Sequence, residues 1–330
     1  MTTWRLRRDA PHTKAHPTPG STVAENASLA SRSRPATLGA RDIAITGRPM
    51  QVRTWNLSSI WRLPTSGGQV WLKVTPPFSA SEAAVMPLLD PRVVPTVLGA
   101  APNRVLLADV PGQDQYGARG EELRTMARIL IRLQTVWVDR VPQLEQLGVL
   151  DMRAAAILPL IHCVVQRNRH ELDSPTQRHL DDLINDLPVR FAALEACGIP
   201  HTLVHGDFHP GNVRGAPGGY RILYWGGCGI GHPMLDLRPS FMYFTPHDRV
   251  EAISIWDSEW SQAVPGRDAP RGADLIRPLG PLYSAVVYQK FLDNSERSER
   301  PYHQGDPPHA LSDAVAMATE PPDLQTGSPQ

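Results

Sequence analysis

Two side chains suited to chemistry stand close together in the stretch His205-Gly206-Asp207-Phe208-His209-Pro210-Gly211-Asn212. An aspartate on such a loop can accept or orient the proton of a hydroxyl. An asparagine can hold a hard cation through its amide oxygen. Asp, four residues, then Asn is the spacing that phosphoryl transfer uses. The blander reading, a polar turn capping a helix, has to account for eight consecutive residues with two chemically apt members. Residues 202–204 read as a short strand delivering His205 to a Pro- and Gly-containing loop, the kind of support on which reactive side chains sit.

The elements around the loop come in two blocks. Residues 52–63 and 69–74 have strand character, with Thr65-Ser66-Gly67-Gly68 as the turn between them. A short helix is expected over 81–89, capped by Ser79 or Ser81. Residues 105–110 form another apolar strand, ended by Pro111-Gly112. The period then becomes helical: Leu123, Met126, Leu130, Leu133 and Trp137 recur on one face. Residues 154–165 read as a core helix. Ser174-Pro175 reads as a helix start, followed by the stripe Leu180, Ile184, Leu187, Phe191 and Leu194, with Pro188 expected to kink it. Residues 1–40 and 300–330 are Pro-rich and polar and read as tails. The resulting expectation is an N-lobe over 41–112 and a helical C-lobe over 113–299.

Composition narrows the function classes. The chain has 330 residues, 41% of them hydrophobic, with 33 basic and 33 acidic side chains. That length supports a real core, and the zero net charge argues for neither a nucleic-acid partner nor a membrane surface. Cys163, Cys197 and Cys228 are odd in number and scattered, so no disulfide framework is expected. No run approaches a membrane span, and no apolar run follows the N-terminal arginines, so a cytoplasmic protein is expected.

The eight-residue loop resembles the signature of the aminoglycoside phosphotransferase family, close to His-Gly-Asp-(Phe/Leu)-His-Pro-Gly-Asn, at every position. The looser resemblance runs from about Trp55 to about Leu237. It implies a bilobal, protein-kinase-like α+β fold, with a small β-rich N-lobe and a larger helical C-lobe. It implies a phosphotransferase that uses ATP or GTP with Mg2+ on a hydroxyl of a small molecule. Asp207 would accept or orient the hydroxyl proton, Asn212 would hold magnesium, and His205 would brace the loop. Asp236 would be structural.

Lys73, in Val70-Trp71-Leu72-Lys73-Val74, stands where kinases keep the strand lysine that contacts phosphates, and Glu82 would pair with it. A solvated lysine beside a surface glutamate is the alternative. Lysine occurs only three times in this arginine-rich chain, which makes one inside an apolar strand look specifically required. Residues 106–110 would be the hinge under the nucleotide base, through backbone groups of Leu107 to Asp109. No G-x-G-x-x-G loop is present, and residues 56–59 stand in its place.

The resemblance breaks after the loop. The family carries Ile-Asp-Trp-x-Asp there, its first Asp a magnesium ligand. This chain has Ile222-Leu223-Tyr224-Trp225-Gly226-Gly227. A phenol with an ordinary pKa near 10 is a poor magnesium ligand. Three readings stay open: a weakened enzyme holding one magnesium on Asp207 and Asn212, a pseudokinase that binds nucleotide or a partner, and a single-codon lesion.

Other constellations carry less. His201, His205, His209, Cys228 and His232 suggest zinc, yet they straddle a strand and a Pro-Gly loop, with no Glu after His201 or His205. No G-x-S-x-G elbow occurs. Trp256, Trp260, Tyr283 and Tyr288 read as helical core. An acceptor pocket, by the family's layout, would be walled by Asp257 and Glu259.

Overall fold

The computed structural model describes residues 43–55, 57–237 and 245–319. The expected tail over 1–40 and Asn56 of the expected phosphate loop lie outside them.

Five antiparallel strands form the first sheet: β1 (Met50–Trp55), β2 (Ser58–Thr65), β3 (Gly68–Val74), β4 (Val97–Ala101) and β5 (Arg104–Ala108), in the order β1-β2-β3-β5-β4. The 52–63 segment is therefore two strands folded back on each other rather than one. Helix α1 (Ser81–Val85) continues into a tight turn over Met86–Leu88. Neither expected serine caps it: the Ser79 hydroxyl instead donates to the Gly226 carbonyl at 3.4 Å.

Alternation divides the sheet's two faces. Leu63, Val70, Leu72, Val74 and Leu106 share one face as a small core of their own. Lys73 lies on the opposite face, toward α1 and the rest of the molecule.

After β5, strand β6 (Gln113–Asp114) pairs with a strand of the second block. That block contains α2 (Glu121–Trp137), α3 (Val141–Gln146), β7 (Leu150–Asp151), α4 (Ala154–Asn168), α5 (Ser174–Ala196), β8 (Thr202–Val204), β9 (Val213–Gly215), β10 (Arg221–Ile222) and β11 (Gly229–Gly231). Two three-stranded sheets, β10-β9-β6 and β7-β11-β8, bracket the His205–Asn212 loop. Helices α6 (Pro246–Ala263) and α7 (Ala269–Asn294) complete the large core. Helix α5 is capped by Asp173, one residue before the expected cap, and its helical hydrogen bonding runs on past Pro188. Trp256, Trp260 and Tyr283 are buried in this core, with Tyr288 packed against it.

The stretch from residue 300 is not a tail up to 319. It forms α8 (Arg300–His303) and α9 (Asp306–Thr319), and α9 packs along α7. Ala310, Leu311, Ala314 and Val315 bury one face at helical spacing. Its prolines, Pro307 and Pro308, sit in the first turn, where no intrahelical N–H is needed. Proline content there marks a helix start rather than a helix breaker.

Candidate active site

Strand β8 is fully buried between β11 and the core, and its end fixes where the loop begins. Asp236 secures the first two loop residues. Its carboxylate accepts the backbone N–H groups of His205 and Gly206, both at 2.8 Å, and the Gln134 amide at 2.9 Å. Asp236 is fully buried, so these charge-assisted bonds are what make its burial tolerable. Asp236→Ala removes them and leaves buried N–H groups without that acceptor. It is expected to cost about 3 kcal/mol, read as a lower denaturant midpoint at unchanged m.

His205 is fully buried and donates from Nε2 to the Leu223 carbonyl at 2.7 Å, while its Nδ1 accepts the Asp207 N–H at 3.2 Å. Burial pulls its pKa down to about 4, so the ring is a neutral brace at neutral pH. Its edge-on contact with Trp225, 4.7 Å between centroids, holds the next segment. Gly206 has φ +83°, and a Cβ there would come within 2.2 Å of the Gly227 carbonyl oxygen. Glycine lets the loop turn against that segment.

The Asp207 side chain is 60% exposed. The Asn212 side chain donates to the Asp207 main-chain oxygen at 2.8 Å and to Oδ2 at 3.1 Å, leaving its amide oxygen for another partner. His209 stands 3.9 Å from Asp207 Oδ2, beyond a direct hydrogen bond. Its Nδ1 accepts the Gly211 N–H, and burial lowers its pKa.

Across from the loop, Lys73 Nζ and Glu82 Oε2 are 2.6 Å apart, both nearly buried. The other Glu82 oxygen accepts the Trp225 N–H at 3.1 Å. One carboxylate thus joins the strand lysine to the segment carrying Tyr224. Of the expected hinge, Leu107 lies mid-sheet, opposite Trp71 on one side and Val97 on the other. The Asp109 carboxylate accepts the Trp71 indole N–H at 2.6 Å.

Tyr224 adopts a left-handed backbone, φ 63° and ψ 54°, unusual for a large side chain. Its ring lies over the Lys73 ammonium, 4.5 Å from centroid to Nζ, a cation–π contact. Burial raises the phenol's pKa, and the Arg53 guanidinium partly opposes this. The phenol therefore keeps its proton at neutral pH. A second phenol, Tyr116, covers the other end of the loop: a Cβ on Gly211 would meet its ring at 2.1 Å. No motif in the sequence marks Tyr116 or Arg53. Tyr116 follows a two-residue strand, and Arg53 is one of many arginines.

The histidine cluster is otherwise employed. His201 Nε2 pairs with Glu195, His232 Nδ1 accepts the Met234 N–H, and Cys228 is buried with its thiol pKa pushed up. Among the described residues no group of three or more His, Cys, Asp or Glu side chains converges on one point. Among them, too, no helix is long and apolar enough to cross a membrane.

The fold has close counterparts. A macrolide 2'-phosphotransferase type I aligns with a TM-score of 0.57 at 16% identity, covering 86% of this chain and 97% of that one. The GDP complex of wild-type aminoglycoside 2'-phosphotransferase-IIIa aligns at 0.56 and 14%, covering 87% and 98%. A choline/ethanolamine kinase family protein from Mesorhizobium loti aligns at 0.53 and 16%, covering 90% and 98%. At such identities these likenesses establish the bilobal kinase-like fold. No curated protein matches by sequence. The family model described as "Phosphotransferase enzyme family" matches residues 55–272. That match spans more than half of the chain and contains both the strand lysine and the Asp–Asn loop, so the chain belongs to the phosphotransferase enzyme family and is a kinase-like phosphotransferase.

Proposed function

We propose that this protein transfers the terminal phosphoryl group of ATP or GTP to a hydroxyl of a small molecule in the cleft between the two lobes. The observation that carries this reading is the buried Lys73–Glu82 pair at 2.6 Å, tied through Trp225 to the segment beside the Asp207–Asn212 loop. In this reading the Lys73 ammonium would meet phosphates and the exposed Asp207 carboxylate would face the acceptor. Leu107 sits mid-sheet with a strand on each side, so backbone past the end of β5, around Asp109, would receive the base. Asp207 would take or orient the acceptor's hydroxyl proton as its oxygen bonds to the phosphorus, and the nucleoside diphosphate would leave.

The donor set suits one magnesium at most. Asp207 offers a carboxylate and Asn212 an amide oxygen, whereas Tyr224 offers a protonated phenol. Bound there, magnesium would neutralise phosphate oxygens. For the acceptor, the surface beside the loop offers a recess lined by Met126, Phe208, Pro210, Ile255 and Trp256 with Asp248 and Glu251. It has room for about one water, so an acceptor would lie over it rather than in it. Glu251 pairs with Arg124 at 2.5 Å, and Glu259 with Arg128 at 2.9 Å. Carboxylates already matched to arginines make a poor seat for a polycation, so a hydroxyl compound with an apolar part fits better than a polyamine.

A second reading rests on Tyr224, whose ring sits on the ammonium that phosphates would contact. It is a pseudokinase that binds nucleotide or a partner without transfer. Titration of the full chain with ATP and GTP, with and without Mg2+, is the first test. We expect a saturable thermal shift with at least one nucleotide. No shift with either would remove nucleotide use from both readings. A shift without product formation on any hydroxyl acceptor leaves the pseudokinase.

A further inference from the structure

Besides Arg62, which shares the face of Ile60 and Lys73 by alternation, the first sheet carries Arg53 on that face, and a strand irregularity puts it there. Strand β1 pairs with β2 as Met50↔Arg62 and Gln51↔Trp61, and then the register shifts. In unbroken register Val52 would oppose Ile60, and Arg53 would oppose Ser59. The bulge makes Val52 the extra residue, and Arg53 opposes Ile60 instead. A one-residue slip exchanges the two faces of a strand, and bulges near active sites re-aim side chains in this way. Ile60 in turn opposes Lys73. Arg53, Ile60 and Lys73 thus form one cross-strand row on one face, and Lys73 identifies that face by meeting Glu82 across it. Thr54 falls on the other face, where its hydroxyl lies 3.1 Å from that of Ser59.

Two strand spacings separate Arg53 from Lys73, roughly 10 Å between backbones. The Arg53 charge acts on both phenols of the cleft, lowering the pKa of Tyr224 over Lys73 and of Tyr116 over Gly211 against the effect of burial. By its place in that row, the Arg53 side chain leaves the sheet on the side that Lys73 faces. The sequence between β1 and β2 contains no glycine. Nor does the position of Tyr224 bring a carboxylate to hold a metal. Whatever charge arrives there on a nucleotide's phosphates must be met mainly by side chains of the first lobe.

We infer that Arg53 is a phosphate-contacting residue, re-aimed by the β1 bulge to bind the nucleotide's outer phosphates while Lys73 holds the inner ones. This rests on the nucleotide-dependent reading above. A guanidinium presents several donors in a planar fork that matches phosphate oxygens two at a time, which an ammonium cannot copy. Arg53 is exposed, so its replacement leaves the core untouched.

The test is calorimetric titration of the unaltered chain, Arg53→Ala and Arg53→Lys with ATP, GTP and the corresponding nucleosides. Arg53→Ala should weaken binding of the preferred triphosphate about ten-fold or more while changing nucleoside binding less than two-fold. Arg53→Lys should recover only part of the loss. Equal triphosphate affinity for Arg53→Ala and the unaltered chain would overturn the role of Arg53 and leave the functional reading standing. Absence of any nucleotide binding by the unaltered chain would bring down the functional reading and this inference together.

Discussion

Asp207→Asn is expected to lower phosphoryl transfer between about one hundred- and ten-thousand-fold in kcat, the range a general base contributes, with little change in stability. The amide keeps the size of the carboxylate and can still meet the Asn212 side chain, whose nitrogen also bonds the Asp207 main chain. What it loses is the capacity to receive the acceptor's proton. The Asp207 side chain is largely exposed, so the loss should not appear as unfolding. The discriminating measurement is single-turnover transfer to an acceptor alongside nucleotide affinity. Loss of kcat at unchanged affinity supports the assignment. Undiminished transfer would move the base elsewhere.

Tyr224→Asp should act in the opposite direction, raising magnesium-dependent turnover by roughly a thousand-fold. The substitution does two things at once. It lifts a ring off the Lys73 ammonium, and it places a carboxylate beside Asn212's loop, where a hard cation would find a second anionic ligand. The backbone favours it as well. At φ 63° and ψ 54°, aspartate is several-fold commoner than bulky residues, so the variant should be no less stable than the parent. Tyr224→Phe is the control, since it keeps the ring and adds no carboxylate. A gain confined to the aspartate variant, with steeper magnesium dependence, identifies a missing metal ligand. An equal gain in both variants would mean that the phenol hydroxyl alone was inhibitory, and no gain in either would show that Tyr224 does not limit turnover.

Much of the site could be read from the chain because its chemistry is local. Asp207 and Asn212 meet across one loop, and their spacing alone suffices to bring them together. Lys73 and Glu82 are near neighbours in sequence, on a strand and the helix after it, and they pair as expected. The helical stripes of α2 and α5 are buried as their period requires, because burial is what selects the period. The errors fall where long-range packing outvotes local composition. The segment from 306 to 319 looks like a polar, Pro-rich tail until α7 supplies a partner for Ala310, Leu311, Ala314 and Val315.

By itself the sequence determined the family, the kinase-like order of strands before helices, and the pairings Lys73–Glu82 and Asp207–Asn212. The family follows from the resemblance of the His205–Asn212 loop, and the rest from spacing and periodicity, which are properties of neighbouring residues. Only the tertiary structure decided which face of β1 Arg53 occupies, because a single extra residue in a ladder reverses every side chain after it. It also decided that Tyr224 rests on Lys73 and that Asp236 holds the loop's first two N–H groups. Those contacts join residues far apart in the chain, and no local pattern encodes them. They are set by how the second block packs beneath the sheet.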